Sequence, residues 1–306
     1  MIIKNVRIFR LIYLLVRRLT PRNLYLSLKV AKSDNYMVLF YVKSKNGNFG
    51  DDLNPWLVLR TTVYIPVNEA QILNFSKKRV FFFIGSILRP TSFKKPVVIG
   101  AGAISSNKIL RFNNVPDIHF VRGPLTRKLL ESYGYEYNKD IFGDPALLLP
   151  LIYQPITTKK FILGIVPHYC DEESKFINNF RNNPNVLIID IKSKPEKVIN
   201  DICSCERVIS SSLHGLIVAD AYAVKSKWIK ISDCVSGGEF KFVDYLLSVK
   251  RKDLVAIRPT QVDSLESILK LFSNYEKPII DFNGIVEALP VEFDQFRDSY
   301  RYLTHR

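Results

Sequence analysis

The sequence has few of the residues from which disulfide frameworks and metal sites are built. Its 306 residues include only four cysteines and four histidines. The cysteines show neither C-x-x-C spacing nor a matched histidine pair, so the common zinc motifs are excluded. We therefore predict no metal site and four reduced thiols in a cytosolic protein, namely Cys170, Cys203, Cys205 and Cys234.

The amino-terminal segment, residues 1–32, contains no acidic residue. It carries eight of the basic residues that give the chain its net charge of +15. The longest apolar run of this segment, Leu11 to Val16, is six residues long, whereas a membrane-spanning helix needs about twenty. The short run, with no small-residue cleavage site after it, also argues against a signal peptide.

The same segment is patterned as a basic amphipathic helix. At about 100° per residue, the basic side chains from Lys4 to Arg22 fall within an arc of roughly 140°, and apolar side chains take the other side. Such a helix can lie on an anionic membrane surface through residues 1–22, or it can pack on the body of the protein. The sequence leaves both open. Nucleic acid is not a predicted partner, because no recognised binding motif accompanies the charge.

Strand-like apolar runs alternate with helical segments through the rest of the chain. This alternation is typical of α/β domains with parallel sheets. It occurs twice, on either side of a linker near residues 151–160. We predict two Rossmann-like domains that face each other across a cleft, over residues 33–155 and 156–280, and a helical tail over residues 281–306.

The stretch from Val208 to Val224 carries the strongest functional signal. An apolar strand runs into Ser211 and Ser212, and a helix follows through Leu213-His214-Gly215. The first N–H groups of such a helix are unpaired and lie at the positive end of its dipole, so an anion can bind there beside the serine hydroxyls. The glycine lets a ligand approach the backbone. His214 can exchange a proton near neutral pH. The pattern predicts an anion site beside a proton donor, although a simple N-capped helix would look alike.

Other charged residues stand where strands lead into helices. Asp51 and Asp52 end a loop between a strand and a helix, so each is either a general base or a helix cap. Arg122 stands on the turn after another strand, where a guanidinium can grip a carboxylate or phosphate. Lys241 and Asp244 share one face of a starting helix, from which they reach the cleft or form a solvated pair.

The ordered set of motifs resembles the polysaccharide pyruvyl transferase family. No single motif is specific to the family, but the order in which the motifs occur is. The motifs extend over about residues 36–246. The residues that carry the resemblance are Asn48-Phe-Gly-Asp-Asp-Leu-Asn-Pro55, Ile84-Gly-Ser-Ile-Leu88, Val98-Ile-Gly-Ala-Gly102, Val121-Arg-Gly-Pro-Leu-Thr126, Phe142-Gly-Asp-Pro-Ala146, Ile165-Val-Pro-His-Tyr169 with Asp171, Ser211-Ser-Leu-His-Gly215 and Phe240-Lys-Phe-Val-Asp-Tyr245.

The resemblance implies a glycosyltransferase-B-like fold and a reaction. The reaction is transfer of the enolpyruvyl unit of phosphoenolpyruvate to a sugar, which forms a pyruvate ketal and releases phosphate without a metal or cofactor. With the basic amino-terminal helix, it suggests a lipid-linked exopolysaccharide precursor as acceptor. It also suggests a cytoplasmic enzyme peripherally bound to the inner face of the cell membrane.

The resemblance also implies roles for residues in the cleft. His214 is expected to donate a proton or contact phosphate, and Asp51 to act as base. Arg122 is expected to clamp the carboxylate or phosphate. The remaining expected substrate-binding residues are Ser211, Ser212, Leu213, Gly215, His168 and Lys241.

One position departs from the family pattern. Some members have arginine two residues before the histidine, where this chain has Ser212. Another cation must then neutralise the phosphate, and the sequence offers Arg122, Arg127 or Lys241. A nucleotide-sugar glycosyltransferase on the same scaffold is the alternative function, since a fold does not determine an activity. A non-catalytic protein that binds an anionic glycan is a further one.

Overall fold

The computed structural model describes residues 20–44, 47–73, 78–90, 95–107, 110–262 and 264–304. The predicted helix over residues 1–22 therefore lies almost wholly outside the described residues. Helix α1 spans Pro21–Lys32. It begins at Thr20, whose side chain accepts a hydrogen bond from Asn23 N, and proline at the first helical position needs no hydrogen-bond partner for its nitrogen.

The first domain contains a five-stranded parallel sheet in the order β2-β1-β3-β4-β5. Its strands are short apolar runs that are largely buried, as expected for a parallel sheet covered on both faces. Helix α2 spans Phe49–Thr61 between the first two strands, and helix α3 spans Pro124–Glu131 after the last. The strands are β1 Tyr36–Phe40, β2 Ile65–Asn68, β3 Val80–Phe82, β4 Pro96–Ile99 and β5 Asp117–Phe120.

The second domain contains a four-stranded parallel sheet in the order β7-β6-β8-β9. Its strands are β6 Phe161–Val166, β7 Val186–Ile188, β8 Cys205–Ser210 and β9 Lys225–Trp228. The chain reaches this domain through a short helix, α4 Leu149–Ile152. The helices that follow are α5 Lys175–Phe180, α6 Pro195–Cys203, α7 Leu213–Ala221, α8 Phe240–Ser248 and α9 Leu265–Lys270. The prediction of an α/β protein with two parallel-sheet domains is thus confirmed.

The end of the chain returns to the first domain. Helices α10 Phe282–Glu287 and α11 Asp294–Thr304 flank a turn in which Phe293 stacks on Phe83 with ring centroids 5.4 Å apart. Beside it, Glu292 accepts a 2.6 Å hydrogen bond from Arg79. Aromatic burial of this kind is a large share of packing energy, so residues 281–304 cover the first domain.

Helix α2 lies at the interface between the two domains. The N–H of Phe49 donates to Ile191 O at 2.8 Å. Glu196 of the second domain accepts hydrogen bonds from Trp56 Nε1 at 2.6 Å and from Arg60 at 2.8 Å. These contacts hold the two carboxyl-terminal sheet edges toward each other. In the ranges that the structure describes, the helices are too short or too polar for any of them to cross a bilayer.

Two of the four cysteines form a disulfide, so the prediction of four reduced thiols is wrong for Cys170 and Cys234. Their Cα atoms are 6.4 Å apart, although 64 residues separate them along the chain. The loops after β6 and β9 meet at the same sheet edge, which sequence spacing does not reveal. Burial raises the pKa of Cys203 to about 11 and that of Cys205 to about 12, so both remain protonated thiols.

Candidate functional site

The order of strands places the candidate site between the two sheets. In the first sheet the chain leaves β1 for β2 on one side and then returns to β3 on the other. In the second sheet the chain likewise leaves β6 for β7 on one side and then returns to β8 on the other. Ligands of open α/β sheets bind at such switch points, beyond the carboxyl ends of the strands. Here the two switch points face one cleft.

The cleft has a volume of about 220 Å³. Loops from both domains line it, and six of the predicted site residues are among the lining residues. These are Asp51, His168, Ser212, Leu213, His214 and Lys241. Sequence reasoning did not single out the other residues of the lining, which are Val42, Asn48, Gly85, Ser86, Ile87, Ile104, Tyr169 and Ile191.

His214 is the second residue of α7 and projects across to the first domain. Its imidazole lies against Gly50, where a Cβ atom would overlap the ring. Glycine at this position therefore permits the close approach of α2 and α7. Ser212 caps α7 without a side-chain capping bond in the described chain. The start of the helix is thus open to an anion in the cleft.

Asp144 faces His214 from the first domain. Its Oδ2 lies 3.8 Å from Nε2 of the imidazole. Both atoms are buried, and neither has a hydrogen-bond partner among the described residues. Burial, reinforced by the charges of Lys241 and Arg122, lowers the pKa of His214 to about 3. Burial raises the pKa of Asp144 to about 6. At neutral pH the pair is a neutral imidazole beside a carboxylate.

Sequence reasoning missed Asp144 as a site residue, although the residue lies in one of the quoted motifs. Its other oxygen accepts a 3.0 Å hydrogen bond from Ala146 N. An aspartate before proline with a bond two residues on looks like an ordinary turn cap. What marks Asp144 as a site residue is its Oδ2 atom, which lies 3.8 Å from His214 Nε2. That distance depends on the tertiary structure, so it could not be predicted from the sequence.

Asp51 titrates near neutral pH. It stands in the first turn of α2, and Asn48 Nδ2 donates to its carboxylate at 2.8 Å. Burial raises its pKa to about 7, against a hydrogen bond from the Val42 backbone, and the neighbouring charge of Asp52 adds to the rise. A carboxyl group with this pKa is suited to accept or donate a proton.

Lys241 is the one lysine or arginine among the described residues that line the cleft. Its side chain lines the cleft, yet the residue is only 9% exposed. Burial, and next the charge of Arg122, lowers its pKa to about 8. No carboxylate pairs with it anywhere in the described part of the chain. A buried cation without a protein counter-ion is stabilised by a bound anion.

His168 also lines the cleft, on the loop after β6. Burial, with the charge of Lys241, lowers its pKa to about 4, while Asp171 opposes the shift. The backbone N–H of His168 donates to Ser211 Oγ at 2.9 Å, and that hydroxyl donates to Asp171 at 2.7 Å. Ser211 therefore supports the His168 loop, and its hydroxyl already has partners.

Arg122 is not placed as the predicted clamp. It is fully buried, with 0% exposure. Its guanidinium donates to Asp244 at 3.0 Å, to Ser86 Oγ at 2.5 Å and to Ala103 O at 2.7 Å. These bonds would have to open before the guanidinium could grip a substrate. The sequence suggested a free cation because Asp244, in the other domain, lies 122 residues away.

Arg127 and Gly215 are likewise outside the cleft lining. Arg127 pairs on the surface with Glu131 at 2.7 Å and with Asp140 at 2.5 Å. A Cβ on Gly215 would meet Val166 Cγ1 at 2.8 Å. This glycine lets α7 pack closely on the sheet, and no ligand contact is needed to explain it.

The described residues contain one group with metal-ligand geometry, Cys170, Asp171 and Cys234. Its two sulfur atoms are joined in the disulfide, so they are not available as thiolate ligands. Among the residues that the structure describes, the titratable groups at the cleft are carboxylates, imidazoles and the ammonium group of Lys241. Such a set binds an anion and moves protons.

Comparison with known proteins bears on this cleft. A family model described as polysaccharide pyruvyl transferase matches residues 48–233, more than half of the chain. An uncharacterized protein of Acanthamoeba polyphaga mimivirus is 26% identical over 227 residues, which cover 72% of this chain and 76% of that protein. The succinoglycan biosynthesis protein ExoV of Rhizobium meliloti (strain 1021) is 26% identical over 235 residues, or 73% of this chain and 67% of that protein.

A solved structure, of a functionally uncharacterized protein from Klebsiella pneumoniae, has a more distant likeness. It has a TM-score of 0.42 and 14% identity, covering 80% of this chain and 100% of that one. A likeness of this size does not indicate a shared function. The family match spans the cleft residues from Asn48 to Ser212 and His214. This chain belongs to the polysaccharide pyruvyl transferase family.

Proposed function

We propose that this protein transfers the enolpyruvyl unit of phosphoenolpyruvate to two hydroxyls of a sugar and releases inorganic phosphate. The acceptor is a lipid-linked precursor of an exopolysaccharide. The observation that carries the proposal is a cleft in which Lys241, a buried cation with no carboxylate partner among the described residues, lies with His214 and Asp51. The name of the Rhizobium relative, a succinoglycan biosynthesis protein, supports a polysaccharide acceptor.

The donor brings a phosphate and a carboxylate, and both need positive potential. Lys241 supplies a full charge, and the start of α7 at Ser212 and Leu213 supplies backbone N–H groups and the positive end of the helix dipole. Lys241 thus takes the place of the arginine that some family members have at the position of Ser212. Burial of the cation strengthens its attraction for the donor.

The donor also controls the protonation of His214. In the empty cleft the burial of the ring and the charge of Lys241 disfavour the imidazolium. A bound polyanion reverses that electrostatic balance, because an opposite charge nearby raises the pKa of a histidine. Asp144 on the other side stabilises the same imidazolium. His214 therefore becomes an acid when the donor is present.

The reaction then proceeds in two additions. His214 protonates C3 of the enol, and C2 becomes electrophilic. A first sugar hydroxyl gives its proton to Asp51 and attacks C2, forming a phosphorylated hemiketal. A second hydroxyl of the same sugar bonds to C2 and gives its proton to His214, while the C2–O bond to phosphate breaks and the proton on Asp51 passes to the departing phosphate. The products are a cyclic pyruvate ketal and inorganic phosphate.

The architecture that we propose for this reaction is of the glycosyltransferase-B kind. The switch points of the two parallel sheets face each other, and the last helices of the described chain return to the first domain. In such an arrangement the donor and the acceptor approach from different domains. Asp51 comes from the first domain, whereas His214 and Lys241 come from the second.

The test is acceptor-dependent release of phosphate from phosphoenolpyruvate. Lipid-linked and aryl glycosides serve as acceptors, and wild type is compared with His214→Ala and Lys241→Met. We expect each substitution to depress turnover by about a hundredfold or more. Lys252→Met is the matched control, because Lys252 is an exposed lysine away from the cleft. Turnover of a nucleotide sugar, with no phosphate release from phosphoenolpyruvate in the presence of any acceptor, would contradict the proposal.

A further inference from the structure

Helix α1 has two unlike sides. Ser27 and Val30 are buried, and Ser27 Oγ accepts a 2.8 Å hydrogen bond from Leu73 N. The other side carries three large apolar side chains that are exposed to solvent. Leu24 is 45% exposed, Tyr25 is 67% exposed and Leu28 is 47% exposed. At about 100° per residue these three side chains fall within an arc of about 100°.

The charged side chains of α1 itself all have one sign. Arg22, Lys29 and Lys32 are exposed on the same helix, and α1 contains no acidic residue. Residues 1–19 of the sequence add five more basic residues and again no acidic one. An exposed apolar strip with a basic border is the pattern of helices that lie in the interface of an anionic bilayer.

We propose that the α1 face, formed by Leu24, Tyr25 and Leu28 with the basic border Arg22, Lys29 and Lys32, binds an anionic lipid surface. The apolar side chains enter the boundary between headgroups and acyl chains, and the tyrosine hydroxyl remains at headgroup level. The basic side chains contact the anionic headgroups. A second protein copy would leave this unbroken positive charge uncompensated, since its own α1 face is equally basic.

The position of α1 connects the surface with the cleft. The bond between Ser27 and Leu73 holds α1 against the segment that follows the carboxyl end of β2. The cleft opens at this same edge of the first sheet. Membrane binding through α1 would deliver a lipid-linked acceptor to the cleft, and this consequence rests on the proposed function. Binding to the bilayer itself does not depend on that function.

The test is co-sedimentation of the full chain with phosphatidylcholine vesicles, with and without phosphatidylglycerol. We expect wild type to bind only the anionic vesicles. The combined Leu24→Ser, Tyr25→Ser and Leu28→Ser variant should lose at least about tenfold in partitioning. Lys29→Gln and Lys32→Gln should each cost about fivefold, with the effect fading at high salt.

Matched controls use exposed residues of the same kind elsewhere. Leu59→Ser with Val63→Ser removes exposed apolar side chains, and Lys252→Gln with Lys277→Gln removes exposed charge. Both controls should bind vesicles as wild type does. Each variant should also keep wild-type turnover of a soluble aryl glycoside, which shows that the variant is folded.

Three results would overturn the inference. The first is that wild type binds neither kind of vesicle, and the second is that it binds neutral vesicles as well as anionic ones. The third is that the triple serine variant binds as tightly as wild type. A self-association abolished by the triple substitution, without vesicle binding, would assign the α1 face to a second copy. Vesicle binding without any phosphate release would leave this inference standing and remove only the proposed function.

Discussion

Single titratable residues set the chemistry of the cleft, and their environments differ sharply. Burial keeps His214 neutral and brings Asp51 to a pKa of about 7. Asp144 contributes a buried carboxylate beside the imidazole, and one of its oxygens has no hydrogen-bond partner within the described ranges. Groups whose environments push their pKa values away from the ordinary range are the usual acids and bases of an active site.

Replacing Asp144 by asparagine tests its role as a positioning residue for His214. The amide oxygen can still accept from Ala146 N, but the negative charge beside the imidazole is lost. We expect kcat/KM to fall by about a hundredfold. The pKa of His214 in the donor complex should also fall, since a stabilising anion is removed, and NMR of the imidazole measures it. Asp140→Asn, at an exposed aspartate, should change neither quantity.

The pH dependence of activity should report Asp51. As a base it must be deprotonated, so kcat/KM should fall as the pH drops below about 7. The charge of Asp52 contributes to the raised pKa of Asp51. Asp52→Asn removes that like charge and should lower the pKa, so that the acidic limb of the pH–rate profile moves to lower pH. A limb that stays in place, or moves upward, would contradict the assignment of Asp51.

At the scale of elements, the loops after strands carry the site because of where parallel strands end. The segments after β1, β3, β6 and β8 all reach the cleft, and each was placed by its sequence pattern after a buried apolar run. Asp51, His168 and His214 could therefore be located on the correct loops from sequence. Their mutual distances could not, because they depend on how the two domains meet.

The disulfide between Cys170 and Cys234 joins the loop after β6 to the loop after β9 and can be tested directly. It closes a loop of 64 residues, so its reduction should lower the free energy of unfolding by about 4 kcal/mol. Thermal or urea unfolding with and without dithiothreitol measures the effect. Cys170→Ser with Cys234→Ser should unfold like the reduced protein and no longer respond to dithiothreitol. Cys203→Ser should keep the response, whereas equal stability of reduced and oxidised wild type would refute the expectation.

At the scale of the whole molecule, one buried ion pair fastens the two domains behind the cleft. Asp244 from the second domain accepts from Arg122 at 3.0 Å and from Thr126 N at 2.9 Å. The second bond caps the start of α3, which has no side-chain cap of its own among the described residues. The guanidinium also donates to Ser86, whose side chain lines the cleft.

Breaking this pair should destabilise the assembly of the domains. Asp244→Ala leaves the Arg122 charge buried without a counter-ion, so we expect the free energy of unfolding to fall by about 3–5 kcal/mol. Urea denaturation measures it. Asp140→Ala removes one of the two carboxylate partners of the surface residue Arg127 and should have little effect. A small loss for Asp244→Ala, similar to that of the control, would show that the pair does not hold the domains.

By itself, the sequence determined the alternation of strands and helices that makes this an α/β protein, and the ordered motifs identified the family. Hydrophobic periodicity and turn residues are local properties, so they are legible without a structure. Only the tertiary structure decided that Arg122 pairs with Asp244, that Asp144 faces His214, and that Lys241 lies at the cleft with no carboxylate partner in the described part of the chain. Burial and partnership depend on residues far apart in the chain, and the free energy of a charge depends on both.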